Sequence, residues 1–74
     1  MFRVAIVSQQ DPNTRTLFAA TPEWLRLVEH LKQNKKVSLA RLILSQIDDT
    51  KEMNSVKLPR ATANALLHES GVSY

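Results

Sequence analysis

Cysteine is absent from this 74-residue sequence, and glycine occurs only once, at Gly71. A chain without cysteine forms no disulfide and no thiolate zinc site, and such chains are typical of the reducing cytoplasm. A single glycine also leaves no glycine-rich phosphate loop, and the nucleophile-elbow pattern of hydrolases is missing. These absences predict a cytoplasmic protein that depends on side-chain packing alone for its stability.

Aromatic residues make up only 5% of the chain, and no apolar run is long enough to span a membrane. The hydrophobic fraction is 43%, which is ordinary for a globular protein and too high for a disordered tail. The core must therefore be mostly aliphatic. The length predicts a single domain over residues 1–74, with a core so small that a partner or a second copy would help to stabilise it.

Carboxylates are missing between His30 and Ile47, although the chain carries ten cations and seven acids in total. Four cations lie inside this acid-free segment, and they are the predicted partner-binding or nucleic-acid-binding residues: Lys32, Lys35, Lys36 and Arg41. Phosphates or acidic proteins are the partners that such a segment attracts. The alternative interpretation is purely structural, because cations near a helix C-terminus stabilise the helix dipole.

Catalytic and metal-binding patterns are weak. The two histidines, His30 and His68, belong to different predicted helices, and no second pair of metal ligands accompanies them. The acidic stretch DDTKE at residues 48–52 lacks the ligand spacing and the glycine of a calcium loop. We therefore expect a non-enzymatic protein with no metal and no cofactor.

The clearest helix signal covers residues 22–33. Thr21 is a suitable N-cap, Pro22 is tolerated in the first turn, and Asn34 is the predicted left-handed terminator. The apolar face repeats at helical spacing and consists of Trp24, Leu27, Val28 and Leu31. Trp24 is interpreted as a core anchor rather than a ligand-stacking residue.

Alternating or short apolar segments predict four further elements. Residues 3–8 and 14–19 alternate around the turn-forming stretch QQDPNT and are expected to form a hairpin. Residues 55–59 form a short strand that ends at a proline, and residues 60–69 form a second helix. Gly71 is the expected C′ residue of that helix.

The segment VSLARLILSQID at residues 37–48 is ambiguous. Leucine, alanine and arginine favour a helix, whereas cations before the segment and acids after it oppose the helix dipole by a few tenths of a kcal/mol, roughly. An internal echo favours a strand: IVSQQD at residues 6–11 returns as ILSQID at residues 43–48, 37 positions later. Because the first copy is predicted as a strand, the second is assigned to a strand as well.

These assignments predict an α+β fold in the order ββαββα, with an antiparallel sheet of about four strands and two helices packed on one face. If residues 38–48 are helical instead, the alternative is a mostly helical, winged-helix-like domain. The two predictions differ only in this segment, so the structure of residues 38–48 decides between them.

The sequence favours a protein-interaction module, such as an adaptor, an inhibitor or a regulatory subunit. An exposed sheet edge would allow strand addition or homodimerisation. The alternative is a DNA- or RNA-binding regulator that uses the basic segment 32–41. In support of the alternative, SVKLPRATANALLHES at residues 55–70 resembles the closing strand and helix of small excisionase-type winged-helix proteins.

Overall fold

The computed structural model describes residues 4–8 and 11–70. Its elements, in chain order, are β1 (Ala5–Ser8), β2 (Thr14–Ala20), α1 (Thr21–Gln33), α2 (Val37–Leu44), β3 (Met53–Pro59) and α3 (Arg60–Ser70). The strands form one antiparallel sheet in the order β1-β2-β3, so β2 is the central strand. The protein is a small α+β domain.

The predicted ββαββα order is wrong, because residues 38–48 contain helix α2 and a turn instead of a strand. In the described residues the order is ββααβα, with three strands instead of about four and three helices instead of two. Ala40 and Ile43, three positions apart, are both completely buried, which is helical spacing. Helix propensity and this burial outweigh the unfavourable charges at the two helix ends. The helical alternative for this segment is therefore the one observed, within an α+β domain.

The 37-residue echo has no structural counterpart. Its first copy lies in β1, at Ile6 and Ser8, whereas the matching Ile43 and Ser45 belong to the last turn of α2 and the cap that follows it. Similar letters thus adopt different backbone conformations in the two copies. The echo led to a wrong assignment of residues 38–48, because tertiary contacts and not the local sequence decide the secondary structure of such a short apolar segment.

The predicted N-terminal hairpin is present in the described residues. Strands β1 and β2 pair antiparallel with Ile6 opposite Leu17, and a bulge lies between Ile6 and Ser8. The turn residues Gln9 and Gln10 lie outside the described residues. After them, the Asn13 N–H donates to the Asp11 carboxylate at 2.8 Å, which is the side-chain turn expected of aspartate before proline.

Strands β2 and β3 pair without interruption from Thr14 opposite Pro59 to Ala20 opposite Met53. The ladder extends beyond both ends, because Arg60 N–H donates to the Asn13 carbonyl and Thr21 N–H donates to the Glu52 carbonyl. Burial alternates along β3, and the buried side chains on this face of the sheet are Leu17, Ala19, Asn54, Val56 and Leu58. The opposite face carries Phe18 and Met53, which are both exposed.

The helix predicted at 22–33 is confirmed, with a different N-terminus. It begins at Thr21, its N-cap is Ala20, and no side chain caps it. The Thr21 hydroxyl donates to the Lys51 carbonyl instead. The predicted apolar face is buried, and Trp24 is a core residue at 0% exposure whose indole N–H donates to the Asn54 carbonyl at 3.0 Å.

The C-terminus of α1 is a Schellman motif whose left-handed residue is Lys35, with φ of 63°, and not the predicted Asn34. Lys36 N–H donates to the Leu31 carbonyl at 2.8 Å, and Lys35 N–H donates to the Lys32 carbonyl at 3.1 Å. Glycine is the usual residue at this position because a Cβ is unfavourable there. The motif turns the chain from α1 into α2 within three residues.

The core lies between one face of the sheet and the helices. Helices α1 and α3 pack on that face, and α2 packs on α1. The helix predicted at 60–69 is present as Arg60–Ser70, and its buried residues are Ala63, Leu66 and Leu67. Gly71, its predicted C′ residue, lies outside the described residues. Among the described helices, none has the length and apolar character needed to cross a membrane.

Candidate binding surface on the second helix

The four cations predicted from the sequence all lie on the α1–α2 hairpin. Lys32 is in the last turn of α1, Lys35 is the left-handed residue after it, Lys36 is the N-cap of α2, and Arg41 is in the last turn of α2. Lys36 is half-buried and the other three are exposed. The structure thus places the basic segment on one supersecondary unit, although the strand assigned to part of it is wrong.

Helix α2 exposes three of its aliphatic side chains. Val37, Leu42 and Leu44 are 45%, 40% and 39% exposed. Arg41 is four residues after Val37 and three before Leu44, so these three share one side of the helix. Leu42 lies on the other flank of the helix, about 140° around the axis from Val37, so we call Val37, Arg41 and Leu44 the α2 face.

The signal for the α2 face was present in the sequence but depended on the secondary structure. In a helix, the burial of Ala40 and Ile43 leaves Val37 and Leu44 exposed beside Arg41, whereas Leu39 packs against the core. In a strand, the same run is interpreted as buried on both sides. A helical wheel over residues 37–44 would have found the α2 face, and the strand assignment prevented that.

A second apolar surface lies where the N-terminus of α1 meets β3. A groove of about 620 Å³ is lined there by Ala20, Pro22, Leu25 and Met53 and is bordered by residues 49–52. Leu25 is 44% exposed and Met53 is 43% exposed. We call this the α1–β3 groove.

The border of the α1–β3 groove is mostly acidic. Asp49, Lys51 and Glu52 line it, and Asp48 precedes them. Hydrogen bonds from the Thr50 hydroxyl and N–H, together with the nearby charge of Lys51, lower the pKa of Asp48 below its ordinary value. The negative charge of Asp48 offsets the positive charge of Lys51. Asp49 and Glu52 therefore carry the excess negative charge of the border.

Buried hydrogen bonds hold the groove in shape. The Asn54 carboxamide accepts from Asp48 N–H at 2.9 Å and donates to the Asp48 carbonyl at 3.0 Å and to the Thr21 hydroxyl at 2.6 Å. Asn54 is 5% exposed and Thr21 is 6% exposed. The acidic turn is therefore attached to both α1 and β3, and its lining is formed before any partner arrives.

The outer edge of β3 is partly covered by a side chain. Lys57 N–H donates to the Gln46 carboxamide oxygen at 2.8 Å, and the Gln46 amide donates back to the Lys57 carbonyl at 2.9 Å. Gln46 thus takes the hydrogen bonds of the Lys57 N–H and carbonyl, which an added strand would need. Strand addition along the whole of β3 therefore requires Gln46 to leave.

Acidic and histidine side chains do not converge in the described part of the chain. No group of three or more histidine, cysteine, aspartate or glutamate residues is close enough there to hold a metal ion. His30 lies near the end of α1 and His68 near the end of α3. The two exposed apolar surfaces are thus the features from which a function can be argued.

Comparison of the chain with protein-family models, with curated proteins and with solved structures gave no match. The interpretation of both surfaces therefore depends on their geometry and charge.

Proposed function

We propose that this chain is a non-enzymatic protein-interaction module that acts in the cytoplasm and binds a protein partner through the α2 face. One observation carries the proposal: an eight-residue helix exposes Val37 and Leu44 on the side that carries Arg41, while Ala40 and Ile43 of the same helix are fully buried. Clustered apolar side chains at a surface are typical of protein-binding sites, whereas scattered ones need no explanation. An adaptor, an inhibitor or a regulatory subunit would act in this way.

The charge around the α2 face defines the kind of partner. Arg41 lies among the aliphatic side chains, and Lys35 and Lys36 precede the helix. The matching surface presents apolar side chains bordered by carboxylates, since complementary charge speeds association and excludes wrong partners. Lys35 adopts a backbone conformation that favours glycine, so a cation is held there at a conformational cost.

The test is affinity capture from lysate with the full chain as bait, followed by titration calorimetry with the captured protein. We expect Val37→Gln combined with Leu44→Gln to weaken binding at least about tenfold, because both side chains lose apolar contact. Folding should be unaffected, within about 0.5 kcal/mol, since both residues are exposed.

The matched control is Leu42→Gln, which removes an aliphatic side chain of similar exposure from the other flank of the same helix. It should leave capture unchanged. If the α2 variant and the wild-type chain capture the same proteins with the same affinity, the α2 face is not the binding site and the proposal is wrong.

A second candidate function is nucleic-acid binding. The observation in its favour is that four cations lie on two helices joined by a short turn, as in helix-turn-helix proteins. Against it, the aliphatic side chains of Val37 and Leu44 flank Arg41 on the exposed side of α2, and phosphates do not bind aliphatic groups. A salt titration with random duplex should show a steep loss of affinity, flattened by Lys35→Gln with Lys36→Gln, if phosphates are contacted. Absence of binding at low salt would exclude this function.

A further inference from the structure

We propose that the α2 face of one copy docks into the α1–β3 groove of a second copy, so that the chain self-associates head to tail. The inference rests on the proposed function, because it assigns the partner of the same α2 face. It goes beyond that function by identifying a second binding surface, which is the groove.

Shape is the first argument. The α2 face is an exposed side of a helix that carries Val37 and Leu44, and the α1–β3 groove is a concave apolar surface of about 620 Å³. Leu25 and Met53 are both more than two-fifths exposed in the isolated chain. Docking would bury the exposed aliphatic side chains of the helix and those of the groove together.

Charge is the second argument. Lys35, Lys36 and Arg41 surround or precede the α2 face with no carboxylate among them. Asp49 and Glu52 give the groove border its excess negative charge. Each surface thus carries the charge that the other requires, and both belong to the same chain.

The contact must be intermolecular. The α2 helix is held on α1 by the burial of Ala40 and Ile43, so it cannot leave its place without opening the core. The groove lies at the N-terminal end of α1, and Lys35 follows its C-terminal end, about 18 Å of helix away. The α2 face of one molecule therefore meets the groove of another.

Two different surfaces in contact make a heterologous interface. Such interfaces produce rings when the rotation closes and open chains when it does not. Every molecule in the assembly except the terminal ones then has both apolar surfaces covered. This arrangement also relieves the problem of a core that is small for an independent domain.

Sedimentation velocity of the full chain from about 10 µM to about 1 mM is the first test. We expect the weight-average mass to rise with concentration and to fall when salt is added, because part of the contact is ionic. Arg41→Glu and Glu52→Lys, each alone, should weaken association at least about tenfold. Lys57→Glu is the matched control, because it reverses an exposed cation outside both surfaces, and it should cause a smaller change.

The second test mixes two disabled variants. The face variant carries Val37→Gln and Leu44→Gln, and the groove variant carries Leu25→Gln and Met53→Gln. Each should be monomeric alone, and an equimolar mixture should form a dimer that grows no further, because one intact face meets one intact groove. Circular dichroism before mixing verifies that both variants are folded.

Three results would overturn the inference. The wild-type chain stays monomeric up to about 1 mM, both variants associate like the wild type, or the mixture of two monomeric variants stays monomeric. A monomeric chain that still captures another protein through the α2 face would overturn the self-association and leave the proposed function standing. Conversely, self-association without any captured protein would overturn only the claim that the α2 face binds a different protein.

Discussion

The two ends of α1 differ in how the chain is held there. At the N-terminal end, Thr21, Trp24 and Asn54 form a buried set of hydrogen bonds that joins the helix to β3 and to the acidic turn. At the C-terminal end, the N–H groups of Lys35 and Lys36 donate to backbone carbonyls of α1, and the exposed Asn34 carboxamide donates to the His30 carbonyl. The first end of α1 is thus held by buried hydrogen bonds that support the fold, whereas the second end is held by hydrogen bonds at the surface.

Replacing Asn54 should have the largest effect on this comparison. We expect Asn54→Ala to lower the free energy of unfolding by about 3 kcal/mol, because it removes three hydrogen bonds that the buried Asn54 carboxamide makes with the Thr21 hydroxyl and the Asp48 backbone. Urea denaturation followed by the fluorescence of Trp24, the single tryptophan, measures the change. Ser55→Ala, at the neighbouring exposed position, serves as the control. A loss below about 1 kcal/mol would show that water replaces these hydrogen bonds.

Gln46 makes the same kind of bidentate contact with a peptide group but is only half-buried. We expect Gln46→Ala to cost about 1 kcal/mol, since water can satisfy the Lys57 peptide group after the change. The measurement is the same urea denaturation, with Gln33→Ala as an exposed glutamine control on α1. If Gln46→Ala costs as much as Asn54→Ala, burial is not the reason for the difference between the two carboxamides.

Lys35→Gly should act in the opposite direction and stabilise the exposed end. Glycine removes the Cβ that is unfavourable at φ of 63°, and the gain is partly offset by greater freedom of the unfolded chain. The expected net gain is about 0.5 kcal/mol. Lys36→Gly, at a residue with φ of −99°, should lower stability instead. Equal effects of the two changes would contradict a role for the left-handed conformation.

Thr50→Ala should produce the smallest effect, and one that depends on pH. Loss of the Thr50 hydroxyl bond should raise the pKa of Asp48 towards its ordinary value, as NMR titration of the carboxyl group can measure. Because the pKa of Asp48 is lowered in the folded state, its stabilisation is present above about pH 4 and is lost as the pH falls through the folded-state pKa. The stability difference between the variant and the wild type should shrink over that range. A constant difference would assign the effect to packing instead.

Local patterns predicted α1, α3 and the N-terminal hairpin because each has a strong signal over a short stretch. Trp24, Leu27, Val28 and Leu31 fit one helical face, and Pro22 marks where that face begins. The basic segment could also be found, since the absence of acids between His30 and Ile47 needs no structure. The α2 face could not, because it depends on whether residues 37–44 form a helix.

The α1–β3 groove could not be predicted from the sequence either. Its walls come from the end of β2, the start of α1 and the start of β3, which are brought together by hydrogen bonds over about thirty positions, such as that from Trp24 to Asn54. No local sequence pattern indicates which distant residues will form hydrogen bonds with an asparagine. The stretch 48–52 was therefore interpreted as a solvated turn and not as the border of a groove.

What the sequence by itself determined is the set of elements whose apolar period is unambiguous, together with the charge of the surfaces. The tertiary structure decided α2, because its helix propensity and its unfavourable end charges nearly cancel and only the burial of Ala40 and Ile43 tips the balance. It also decided which apolar residues of α2 face outward. Burial is a property of the whole packed domain, so a sequence window of eight residues does not contain it.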